Sequence, residues 1–209
     1  MQFGDMLEKA KELHGHGSAC IGLILGTRIA AEGLRRLGIE DPSKVHNLIV
    51  YAEIDRCMID AIQAVTGCTF GKRRLKYVDY GKFAATFIDV SDDKAVRVSL
   101  RNNAKELARS FCEEQGLVER GIDLTQERET KLMAEAYSKM PDTDLLVVKK
   151  VHVQVPEMDL PGRPKRRVIC HLCGEQVLDG REIAKDNQIL CKSCSEGAYY
   201  RILQDKKEK

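Results

Sequence analysis

Two closely spaced cysteine pairs near the C-terminus, Cys170 with Cys173 and Cys191 with Cys194, constrain this chain more than any other feature. They read CHLC, seventeen intervening residues, then CKSC. Each CxxC turn presents two thiolates, and a hairpin between the turns brings them together around one tetrahedral ion. Soft thiolates at this double spacing select zinc or iron and rarely arise by chance. With all four positions filled by protein sulfur, no place remains for water or substrate, so a structural zinc is expected. The ion then holds together a segment too small to build its own core.

A knuckle, a hairpin and a helix starting at the second pair resemble a treble-clef zinc finger, and the tail GAYYRILQDKK is expected to continue that helix. Iron in a rubredoxin-like site is the rival, for which Gly174 after the first knuckle is suited. The segment 155–167 carries three of the five prolines and the basic residues Arg163, Lys165, Arg166 and Arg167, as a linker does. This gives a core domain over 1–155, a linker over 156–167 and a finger domain over 168–209. The basic run could touch phosphates, although a solvated linker explains it as well.

Ahead of the linker, the chain is long enough for one ordinary domain. Hydrophobic residues at 43% and charged residues at 32% predict a chain folded throughout rather than a disordered one. Lys and Arg exceed Asp and Glu by only two, which excludes a global field drawing the protein to nucleic acid or to an anionic membrane. The longest apolar run, Cys20 to Leu25, is far below the ~20 residues that span a bilayer, and the mixed-charge N-terminus does not read as a signal peptide. A cytoplasmic protein without membrane contact is therefore expected. In that reducing setting, cysteines are ligands, reactive thiols or core residues rather than disulfides.

Apolar periodicity predicts a helix through Met6, Leu7, Ala10 and Leu13 and another from Cys20 to Leu37, joined by HGHGSA. A strand over Asn47–Ile54 precedes a helix capped by Asp55 that ends at Gly67. Segments Leu75–Tyr80, Phe83–Val90 and Ala95–Leu100 read as an antiparallel meander. Helices over Asn103–Glu114 and Thr125–Lys139 and a last strand over Leu145–Val155 follow, without a regular βαβ repeat. The fold class expected is α+β. The last strand leaves an apolar edge that a second copy could cover, so a homodimer is expected.

A second set of soft and borderline ligands lies in the core: His14, His16 and Cys20 in HGHGSAC, with Cys57 and Cys68 flanking the helix after the first strand. Their spacing is irregular, and isolated histidines and buried thiols are usually structural. The stretches HGH…LGTRIA (14–30) and EIDRCMIDAIQAVTGCTFGK…VDYGKFAATF (53–87) resemble the FmdE family of formylmethanofuran dehydrogenase proteins, marked by HGH, by a cysteine on a helix ending in TGCTxGK, and by DYGK. Longer members of that family carry a C-terminal treble-clef finger. The resemblance covers most of 10–100 and the finger. It implies a thioredoxin-like mixed β-sheet core flanked by helices and a site where a second zinc can bind between the HGH turn and the Cys57 helix. His16 and Cys57 are its first ligands, with His14 binding or orienting its neighbour and Cys68 a further ligand or a reactive thiol. Lys72, Asp79 and Lys82 are further pocket candidates, with ordinary readings as turn and surface charges.

Two positions depart from the family pattern. Ser18 stands where a cysteine or serine follows HGH, and Cys20 comes later without the usual proline, which leaves the role of Cys20 open. TGCTxGKGNL appears as TGCTFGKRRL, with Arg73 and Arg74 in place of glycine and asparagine. Formylmethanofuran reduction needs molybdenum or tungsten pterin and iron-sulfur subunits, and no such machinery is visible here. The resemblance thus implies an accessory metalloprotein of a methanogenesis-type molybdenum or tungsten dehydrogenase, at most an accessory subunit of that enzyme. The competing readings are a small zinc-dependent enzyme at the N-terminal pocket and a nucleic-acid or protein-binding module using the finger.

Overall fold

A computed structural model describes residues 2–15 and 20–203. The chain divides after Gln154 into two compact units.

In the first unit, α1 (Phe3–His14) and α2 (Ile21–Leu37) are ended by Gly15 and Gly38, both left-handed, with the Gly38 N–H returned to the carbonyls of Leu34 and Arg35. Glycine adopts this conformation without a steric penalty, so these stops are written in the sequence. The chain then forms β1 (Leu48–Ala52), α3 (Met58–Thr66), β2 (Leu75–Tyr77), β3 (Ala84–Asp89) and β4 (Lys94–Leu100). Helices α4 (Ala104–Glu114) and α5 (Gln126–Lys139), a single turn α6 (Asp142–Leu145) and β5 (Leu146–Val151) complete the unit. The class is α+β, with a mixed sheet flanked by helices.

The sheet order is β2-β1-β3-β4-β5, with β1 and β2 parallel and every other pair antiparallel. The expected three-strand meander is corrected here. β2 does not pair with β3, because α3 is a crossover that returns the chain to run alongside β1, with Val50 opposite Leu75. β3 then enters on the other side of β1, with Val50 opposite Phe87. Asp55 is not the cap of α3, since Cys57 holds the N-cap position. The last strand is also shorter than expected, and its outer edge carries the exposed Lys149 and Lys150.

Helix α2 is the organising element, buried along Leu23, Ile24, Leu25, Gly26, Thr27, Ile29 and Ala30. Two glycines let it approach its neighbours. A Cβ on Gly26 would lie 2.8 Å from the Cα and carbonyl oxygen of Met58, and one on Gly33 would lie 2.3 Å from the Phe87 ring. Glu53 at the end of β1 is buried and takes a two-pronged contact from Arg97, with both N···O distances 2.7 Å.

The second unit holds two hairpins, β6 (Arg167–Ile169) with β7 (Gln176–Leu178) and β8 (Ile183–Lys185) with β9 (Gln188–Leu190), then the short α7 (Lys192–Glu196). The segment read as a linker is part of this unit. Its Asp159 pairs with Arg181, its Arg166 with Glu182, and its Lys165 N–H donates to the buried Asp179 carboxylate. Over its described residues, 197–203, the tail expected to continue the last helix does not: α7 ends at Glu196, Gly197 follows at φ 102°, and Tyr199, Ile202 and Leu203 are exposed; the rest of that tail lies outside the described residues. A helix this short does not persist on propensity alone. Among the described residues, no helix is long and apolar enough to cross a membrane.

Candidate metal centres

The finger site is assembled from two turns. The β6–β7 hairpin carries Cys170 and Cys173 in its connection, closed by Gly174 at φ 73°, and α7 begins at Cys191, which holds its N-cap, with Cys194 in its first turn. The ligating atoms of all four lie within 4.8 Å of one another. A tetrahedral ion with metal–sulfur bonds of ~2.3 Å sets its sulfurs ~3.8 Å apart, and the Cys173 and Cys191 sulfurs are 3.8 Å apart. The charges point the same way. Backbone N–H groups of Cys173 and Cys191 draw the Cys170 thiol down to about 6, whereas the hydrogen bond with Cys191, then burial and the other two sulfurs, push Cys194 up to about 12. Four sulfurs this close cannot all be thiolates unless a cation shares the site.

Of the four basic residues before this site, Lys165 pairs with Glu157 and Arg166 with Glu182, each within 2.6 Å. Half of the local positive charge is therefore neutralised within the unit.

The second group lies where three helix ends meet. His14 closes α1, Cys20 is the N-cap of α2 and Cys57 the N-cap of α3, and their ligating atoms lie within 4.8 Å of one another. Gly22 lets the first turn of α2 close over the site, since a Cβ there would sit 3.0 Å from the Cys57 Cβ and 3.7 Å from both sulfurs. His14 Nδ1 is 2.7 Å from Asp60 Oδ2. Burial, then the hydrogen bond and charge of Cys20, push the Cys57 thiol up, and Asp60 adds to this. His16 and Ser18 lie outside the described residues.

The remaining candidates are not in that group of ligating atoms. Cys68 is fully buried, its thiol reaching the Leu48 carbonyl at 3.5 Å, and burial pushes that thiol up. Helix α3 separates it from Cys57, and nine residues at ~1.5 Å each put ~14 Å of helix between them. One ion cannot bridge that span. Lys72 lines a cavity at the far end of α3 with Thr66, Gly67 and Arg74. Asp79 accepts from the Tyr77 hydroxyl at 2.8 Å, which pushes that phenol to about 12, and Lys82 lies over the Tyr80 ring at 5.4 Å. Arg74 donates to the carbonyls of Val45 and Gly67, and Arg73 takes a left-handed φ of 60°. Asp60 was not among the sequence candidates. The available signal was its spacing, three residues after Cys57 on the same helix face.

An α+β unit with a Cys/His group at converging helix ends, and a second unit with a four-cysteine group, define a chain with two potential metal sites. The chain belongs to the FmdE family, whose model, described as "FmdE, Molybdenum formylmethanofuran dehydrogenase operon", matches residues 14–147. A probable S-adenosyl-L-methionine-binding protein from Archaeoglobus fulgidus is 31% identical over 209 residues, covering 95% of this chain and 54% of that protein. The chain thus spans about half the length of this curated relative. In fold it matches a tungsten formylmethanofuran dehydrogenase FmdE-like protein from Syntrophus aciditrophicus, with a TM-score of 0.61, 23% identity and 96% of each chain covered.

Proposed function

We propose that this protein is a zinc-binding accessory protein of a molybdenum or tungsten formylmethanofuran dehydrogenase-type system, with a structural zinc in the finger and a second metal in the core. The observation that carries the reading is the pair of donor groups, one of four thiolates and one of His14, Cys20 and Cys57. Four thiolates close the coordination sphere, whereas three donors leave a position open to a water, a substrate or a further ligand such as His16. The Asp60 contact supports the second site. Asp60 Oδ2 lies 2.7 Å from His14 Nδ1, and a carboxylate behind a ligating histidine is the usual arrangement at such sites. Zinc is favoured over iron in the finger because the second pair leads into a helix, as in treble-clef sites.

The open position also favours a second reading, a small zinc-dependent enzyme acting at the core site. The name of the Archaeoglobus fulgidus relative makes S-adenosyl-L-methionine a ligand to include in any screen.

Elemental analysis of the intact chain and of a Cys57→Ala variant tests the proposal. About two zinc ions per intact chain and about one in the variant are expected. A single zinc, retained in Cys57→Ala and lost in Cys170→Ser, removes the core site and leaves the core as a partner-binding domain. Copurification with dehydrogenase subunits tests the accessory role, and sedimentation tests self-association at the β5 edge.

A further inference from the structure

We propose that Cys20 and Cys57 are a reactive dithiol that a small disulfide oxidises to an intramolecular bond across the α2–α3 seam, and that this bond and a metal ion exclude each other. The pairing rests on the placement of the two thiols alone, while its competition with metal rests on the core site proposed above.

The two sulfurs come from different helix starts yet share a group whose ligating atoms lie within 4.8 Å. A disulfide closes to about 2.05 Å, which asks for rotamer changes at one or both side chains. Gly22 keeps the seam narrow, because both sulfurs sit 3.7 Å from where its Cβ would be. The pair is also asymmetric in access. Cys20 is exposed and meets the oxidant, whereas Cys57 is half-buried and is placed to resolve the first product. The other cysteines are placed differently. Cys68 and Cys112 are buried with their thiols turned to the carbonyls of Leu48 and Leu132, and the remaining four form the finger group.

With oxidised glutathione as oxidant, the Cys20 thiolate attacks one sulfur, the glutathione disulfide breaks, and one glutathione thiolate leaves and takes up a proton. The Cys57 thiolate, its proton lost to solvent, then attacks the Cys20 sulfur and expels the second glutathione, which takes up a proton. Two protein thiols lose two electrons and two protons, and the oxidant gains both as two thiols. The product has no thiolate left for a metal, and a bound metal leaves no free thiolate for the oxidant.

The test uses the full chain, reduced and metal-stripped, then treated with oxidised glutathione. Free thiols are alkylated and linked peptides are mapped by mass spectrometry. A Cys20–Cys57 linked peptide is expected, absent in Cys20→Ser and Cys57→Ser, and formed about tenfold more slowly or less when zinc is in excess. Oxidation of the finger cysteines without that peptide overturns the dithiol. A linked peptide that forms equally fast with zinc keeps the dithiol but overturns both the competition and the core metal site.

Discussion

Replacing Gly26 by alanine adds one methyl group where α2 crosses α3, and the structure fixes both sign and size of the effect. The new Cβ would meet the Ala61 Cβ and the Met58 Cα and carbonyl oxygen, each at 2.8 Å. Two of these three atoms are backbone, so no rotamer change relieves the contact and α3 itself must shift. Overpacking of this kind costs about 2–3 kcal/mol, the upper part of the usual range, and the better helix propensity of alanine offsets about 1 kcal/mol. The net loss is about 1–2 kcal/mol. Gly4 in α1 is the control, since its added Cβ meets nothing within 4 Å, and Gly4→Ala is expected to be neutral or to stabilise by up to about 1 kcal/mol. Urea unfolding followed by helical circular dichroism gives both values, with the core transition fitted separately from the finger. Because Met58 directly follows Cys57, Gly26→Ala is also expected to weaken metal binding at the core site. A Gly26→Ala protein as stable as Gly4→Ala would refute the tight α2–α3 seam and the geometry of the core site with it.

Chelation of the metal proposed for the finger is expected to expose 155–203 to protease while a core fragment survives, as gel analysis of a limited digest will show. Asp60→Asn should lower core metal affinity about 10–100-fold without unfolding the protein, read by competition with a metal indicator. Glu53→Gln leaves Arg97 without its buried partner; because Arg97 retains some solvent contact, the loss in urea unfolding should fall below the usual 3–5 kcal/mol, at about 2–3 kcal/mol. Burial would raise the Glu32 carboxyl, but hydrogen bonds and charge from Arg35 and Arg36 outweigh it and hold the group below its ordinary value. Its contribution is therefore fully present above pH ~4.3 and lost as pH falls through the lower folded value, so Glu32→Gln should flatten the acid limb of a stability-versus-pH curve.

Legibility followed the range of the interactions. Helix stops at Gly38 and Gly67 are local events, settled within a few residues. The sheet order is not local. The segment Leu75–Tyr77 has the same strand character whether it joins β3 or β1, and only the length of the α3 crossover decides for β1. The four-cysteine group was legible because each pair is local and only two turns have to meet. The core group gathers residues 14, 20, 57 and 60, and Gly22 and Gly26 enter only through what their missing side chains allow to approach. The linker reading of 155–167 rested on prolines and charge. Neither announces that Asp179 and Glu182 wait further along to receive Lys165 and Arg166.

That clasp changes where the chain can be cut. A finger released at residue 168 would lose the strand residue Arg167 and leave Asp179, Glu182 and Arg181 without Lys165, Arg166 and Asp159. A finger released at 155 would carry its own belt. The natural unit of transfer, for an engineer or for a gene fusion, is then about a dozen residues longer than its cysteines suggest, and it begins beyond residue 147, where the family match ends.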